Sequence, residues 1–155
     1  MIKQILFPIH TLSNHDILRY ANLIGLPLDC VAKDNVPMRL KKNTAIIVNL
    51  QNSYERGSHW TCAVNKNNKC LYYDSFGIEY MPKNLEKCLI NSVGRENIFI
   101  SDEHNQKLLS ILCGYFCLWI CKSVLLDGMS FEGALDKLTD TPSNKNDDTV
   151  DNLYI

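Results

Sequence analysis

The sequence predicts one domain of the α+β class, on three observations. Its 155 residues, 46% hydrophobic and 21% charged, suffice for one core and exclude a disordered chain. Runs rich in β-branched and aromatic residues, above all Thr44–Leu50 (TAIIVNL), read as strands. Helical segments are interspersed with them without strict βαβ alternation. No internal repeat or low-complexity tract is present. The domain is expected to span residues 1–140, and residues 141–155 form a polar, acidic tail.

In chain order, a first helix is expected over Ser13–Ile24. Ser13 and Asp16 form a capping box with Asp in place of the preferred Glu, and Leu12 serves as the staple. Gly25 and Pro27 stop this helix. A polar loop containing Pro37 and several lysines follows, then the strand Thr44–Leu50. Gln51–Ser58 is a polar connection. His59–Val64 and Lys69–Asp74 read as two strands joined by Asn65-Lys66-Asn67-Asn68, a strong turn composition. Pro82 opens a helix to about Ile90, Pro being tolerated in a first turn. Glu96–Ile100 is a short strand. A helix starts at Cys113 and ends near Leu126, before Gly128, and Phe131–Leu138 is a last short helix.

A net charge of −1 gives no global basic field, so activation by nucleic acid is not expected. Arg39, Lys41 and Lys42 form a local basic group that reads as a solvated loop. No apolar run approaches the ~20 residues of a membrane span, so no membrane partner is expected. The stretch MIKQILFPIH lacks a small-residue cleavage site and is not read as a signal peptide, which points to the interior of a cell. The seven cysteines are an odd number, and in that setting reduced thiols are expected. There is no CxxC pair, so no zinc site and no cofactor are predicted. Cys113, Cys117 and Cys121 recur every four residues and share one helical stripe. At most one of them is expected to carry chemistry, with Cys117 and Cys121 in the core. Cys30 reads as a free buried cysteine rather than a disulfide partner for an activating peptide.

The hairpin suggests a catalytic pair. If a four-residue turn joins Val64 to Lys69, or a two-residue turn sits at Lys66-Asn67, His59 lies directly opposite Asp74. Their Cβ atoms are then ~4.5–5.5 Å apart on one face. A carboxylate there fixes the imidazole tautomer and raises the basicity of the other ring nitrogen. Taken separately, His59 is a rim histidine and Asp74 a turn residue. Cys113 heads an apolar helix, where the macrodipole and a neighbouring imidazolium favour the nucleophilic thiolate. Gly114 keeps the approach to the sulfur open. Gln106 is a candidate oxyanion donor seven residues earlier, and His104 is a rival base. Trp60 is expected to face away from His59 and to pack.

Together these residues resemble a known family. Gly57-Ser58-His59-Trp60, Tyr73-Asp74-Ser75-Phe76-Gly77, and Gln106 spaced from Cys113-Gly114 follow the order His, Asp, Gln, Cys. That pattern resembles the adenovirus endopeptidase and its relatives in virophages, Polinton-type elements and large DNA viruses. It is more remotely similar to the proteases of SUMO and other ubiquitin-like proteins. Leu12-Ser13-Asn14-His15-Asp16-Ile17 and Lys33-Asp34-Asn35-Val36-Pro37 are similar to a helix and a loop of the virophage branch.

The resemblance, spanning roughly residues 11–126, implies a papain-like cysteine protease. A central antiparallel sheet would carry base and acid and pack on the helix headed by the nucleophilic cysteine. It implies Cys113 as nucleophile, His59 as base, Asp74 as its orienting acid and Gln106 as oxyanion donor. The implied activity is cleavage of viral capsid and other virion precursors, commonly after small residues, in the virion and the infected cell. An activating peptide, if any, is not identifiable from the sequence. Three alternatives stay open: a deconjugase of ubiquitin-like proteins, a YopJ-like acyltransferase dependent on acyl-CoA, and a non-catalytic binding module.

Overall fold

The computed structural model describes residues 12–51, 59–74, 81–101 and 113–139. Among them are four α-helices and five strands: α1 (Asn14–Ile24), β1 (Leu28–Ala32), β2 (Thr44–Asn49), β3 (Trp60–Lys66), β4 (Lys69–Tyr73), α2 (Lys83–Val93), β5 (Ile98–Ile100), α3 (Cys113–Leu125) and α4 (Phe131–Thr139). The fold is α+β, as expected. Residues 140–155, read as a tail, lie outside the described residues.

α1 begins as its sequence predicts. Ser13 Oγ accepts from the Asp16 N–H at 3.1 Å, and Asp16 Oδ2 accepts from the Ser13 N–H at 3.0 Å. Leu12 and Ile17, the staple positions, are buried in one cluster. Gly25 ends the helix at φ +72°, in the left-handed region. β1 was not expected. It occupies the start of the segment read as a polar loop, and only Cys30 of its five residues is buried. Its partner makes it a strand: it pairs parallel with β2, from Leu28↔Ala45 to Ala32↔Asn49. Beyond it, Arg39, Lys41 and Lys42 are exposed around the buried Leu40.

The strands lie in chain order, β1-β2-β3-β4-β5. The sheet is mixed, which corrects the expectation of an antiparallel one. β2, β3 and β4 are antiparallel, while both edge strands run parallel to their neighbours. A parallel neighbour needs a crossover, and α2 lies on the one between β4 and β5. α2 runs past the expected Ile90 to Val93, where Gly94 stops it at φ +85°.

The hairpin register also differs from the expected one. The turn is Asn67-Asn68, flanked by the pair Lys66↔Lys69, and Cys62 lies opposite Tyr73. Both turn residues have positive φ, 54° and 62°. That is the signature of a type I′ turn, whose twist matches a hairpin and which Asn tolerates better than Lys.

Both faces of the sheet are covered. Ile47, Cys62, Val64 and Tyr73 meet α1, α3 and α4 on one face. Ile46, Val48, Ala63 and Tyr72 meet α2 on the other. This explains the continuous apolar run of β2. α3 is buried on nearly every side, with eleven of its thirteen residues inside.

Candidate active site

The site sits at the end of the sheet where β3 starts and β4 stops. His59 immediately precedes β3, and Asp74 immediately follows β4. Continuing the observed register puts Asp74 opposite Thr61, with His59 its diagonal neighbour. Diagonal positions are ~7–8 Å apart, within reach of an imidazole and a carboxylate. The expected pair therefore forms, although not across the expected register. The slip is two residues, an even number, so it leaves both side chains on one face.

His59 Nε2 and Asp74 Oδ1 are 2.7 Å apart. Both residues are buried, with Asp74 at 0% exposure and His59 at 8%. With Nε2 committed to the carboxylate, Nδ1 is left for Cys113, and the two side chains share a hydrogen bond. Burial by itself lowers the His59 pKa. The hydrogen bonds to Asp74 and to Cys113, with the charges on both, outweigh that and raise it from 6.5 to about 9. The imidazole is therefore held as a cation between two groups that carry or develop negative charge.

Cys113 is the first residue of α3 and is 4% exposed. Its backbone N–H is one of those a helix start leaves without an intrahelical partner, and it lies near the positive end of the helix dipole. Trp60 packs in the core, as expected, and its indole Nε1 donates to the Leu12 carbonyl at 3.0 Å. Its backbone contributes something the sequence did not signal: the Trp60 N–H donates to Cys113 Sγ at 3.4 Å. No side-chain pattern announces a main-chain donor. Gly114 has a packing role besides the expected open approach. A Cβ there would lie 3.3 Å from Leu12 and 3.4 Å from Trp60.

Cys117 and Cys121 are fully buried, as expected, and Cys62 of β3 shares hydrogen bonds with both. Burial pushes the Cys117 thiol up to about 11, and those of Cys62 and Cys121 well above the ordinary value. Cys30 is likewise buried and pushed up to about 12. Gln106 and the rival His104 lie outside the described residues, as do Gly57-Ser58 and Ser75-Phe76-Gly77.

Among the described residues, no group of three or more His, Cys, Asp or Glu is placed to hold a metal ion. No described helix is long and apolar enough to cross a membrane. A groove of about 720 Å³, lined by Lys66, Lys69, Phe99, Ile100, Phe131 and Leu135, lies at the turn end of the hairpin. It is roughly 20 Å along β3 from His59. Compared with known proteins, the sequence matches no family model and no curated protein.

Proposed function

We propose that this protein is a papain-like cysteine endopeptidase of the adenovirus-protease type. The observation that carries the reading is the buried line Asp74–His59–Cys113, with the sulfur at a helix start. A carboxylate that orients an imidazole, which in turn meets a thiol, is the arrangement of nucleophilic acyl transfer. The substrate class, viral capsid and other virion precursors cleaved after small residues in the virion or infected cell, rests on the motif resemblance.

The arrangement and the resemblance together support the following steps. The Cys113 thiolate, paired with the His59 imidazolium, attacks the scissile carbonyl and forms the C–S bond. The carbonyl oxygen becomes an oxyanion, met by the Cys113 N–H and, on the resemblance, by the Gln106 amide. As the intermediate collapses, the C–N bond breaks and the leaving amine takes the His59 proton. The resulting thioester is attacked by water, which gives its proton to His59. The C–S bond then breaks, releasing the acid and restoring the thiolate–imidazolium pair. Asp74 holds the ring throughout.

The test is hydrolysis of a fluorogenic peptide library alongside ubiquitin and SUMO C-terminal fluorogenic substrates. Cleavage after glycine or another small residue is expected, lost by roughly 10³-fold or more in Cys113→Ala and in His59→Ala. Preferential turnover of the ubiquitin or SUMO substrates would move the substrate to the deconjugase class. An His59→Ala protein that kept full activity would overturn the triad.

A further inference from the structure

We infer that Cys117 is a positioning residue: it holds the main chain of Trp60 so that the Trp60 N–H is aimed at the Cys113 sulfur. The inference rests on the reading of Cys113 as nucleophile, and it gives a core thiol a part in the chemistry.

The argument starts from the ladder of β3. In an antiparallel pair, hydrogen-bonded and non-bonded residue pairs alternate. The Leu50 N–H donates to the His59 carbonyl at 3.0 Å, so Leu50 and His59 are a bonded pair. The next pair, Asn49↔Trp60, is then non-bonded. The N–H and C=O of Trp60 therefore point away from β2, toward the β4 side. There, among the described residues, the last pair with β4 is Cys62↔Tyr73, two residues short of Trp60. Buried backbone groups in that position need partners.

Two thiols of α3 supply them. The Trp60 N–H donates to Cys113 Sγ at 3.4 Å, and Cys117 Sγ donates to the Trp60 carbonyl at 3.5 Å. Four residues, about 6 Å of helix rise, separate Cys113 from Cys117 along α3, which lets their sulfurs meet both polar groups of one extended residue. The helix thus meets both polar groups of Trp60.

The two thiols act with opposite polarity. Cys113 accepts, and a hydrogen bond to the charged form favours the thiolate. Cys117 donates, which requires that it keep its proton, and burial holds its thiol up at about 11. It is itself hydrogen-bonded to Cys62, which also bonds Cys121, so the donor's orientation is set from inside a dry network. The indole bond to Leu12 fixes Trp60 from its other end. Among the described residues, the titratable groups that interact with this pair are His59, Asp74, Cys62, Tyr72 and Cys121. None is altered by the variants below. An apolar residue at position 117 would fill the space without making the bond.

The experiment is iodoacetamide alkylation of Cys113 across pH, mapped by mass spectrometry. It compares wild type with Cys117→Ala, Cys117→Ser, and a chain carrying the α-hydroxy analogue of tryptophan at position 60. That analogue replaces one N–H by an ester oxygen and leaves every side chain intact. Loss of the donor is expected to move the acid limb of Cys113 labelling up by about one pH unit in the ester and in Cys117→Ala. Cys117→Ser, which keeps a donor, is expected to follow wild type. An ester chain with the wild-type profile, or equal shifts in the Ala and Ser variants, would overturn the positioning role. If wild-type Cys113 is labelled only above about pH 8, the nucleophile reading fails first and this inference falls with it. Ready labelling at about pH 6 in every variant would sink the inference alone.

Discussion

An imidazole with a pKa of about 9 keeps its charge across the neutral range, and His59 is such a group. The consequence for stability has a definite sign. Below about pH 6.5 folded and unfolded chains both carry the proton, so the stabilisation from its two partners is fully present. Between 6.5 and about 9 the unfolded chain releases the proton while the folded one keeps it, so stability falls as pH rises. Urea unfolding of wild type is expected to lose about 1 kcal/mol between pH 6.5 and 7.5, before the thiols of the unfolded chain titrate, and His59→Gln to lose much less over that interval. On the proposed activity, the same proton would set the alkaline limb of peptide hydrolysis, expected near pH 9. Asp74→Asn removes one of the two charges that raise the pKa and leaves only a weaker amide acceptor. Its alkaline limb should move toward neutral pH, with kcat down by roughly 10²–10⁴. An unchanged limb would mean that Asp74 does not control the imidazole. At this scale the sequence was informative: His59, Asp74 and Cys113 were legible from residue type and order, and the fold brings them together. The Trp60 N–H was not, because a backbone donor has no letter of its own.

Among the elements, the β3–β4 turn shows how a correct pair can follow from a wrong register. Asn65-Lys66-Asn67-Asn68 offers several turns of similar composition, and only backbone conformation separates them. A two-residue hairpin loop wants positive φ at both positions, and Asn67-Asn68 is the choice that puts Asn at both. Asn68→Gly is therefore expected to stabilise by a few tenths of a kcal/mol, while Asn68→Val should cost about 1–2 kcal/mol in urea unfolding. β1 was illegible for a different reason. Leu28–Ala32 buries little of its own surface, so its hydrophobic pattern is faint, and its strand character comes from β2 beside it. α3 was legible from its apolar run and its bounds. Its close seat beneath Leu12 and Trp60 was not, since one missing methyl decides it. Gly114→Ala gains about 1 kcal/mol of helix propensity but meets Leu12 at 3.3 Å. Overpacking of ~1–3 kcal/mol should win, giving a lower Tm. A raised Tm would show that the Leu12 side chain yields.

At the scale of the molecule, a sheet covered on both faces leaves chemistry to its ends. The α1, α3 and α4 layer and the α2 layer seal the faces, so reactive groups gather where β3 starts and β4 stops. The α+β class was legible because it needs only element types. The mixed sheet was not, because strand direction depends on crossovers that no local pattern encodes. The strand order has a further consequence in time. Sheet neighbours are also chain neighbours, and the β3–β4 hairpin closes through two residues. Hairpins of this kind form within microseconds. Base and acid can therefore meet as soon as that stretch has left the ribosome. The sulfur comes 53 residues after Trp60. Through that interval, seconds at ordinary synthesis rates, the nascent chain has its imidazole and carboxylate but not its sulfur. On the proposed activity, it would become dangerous to its neighbours only when α3 docks.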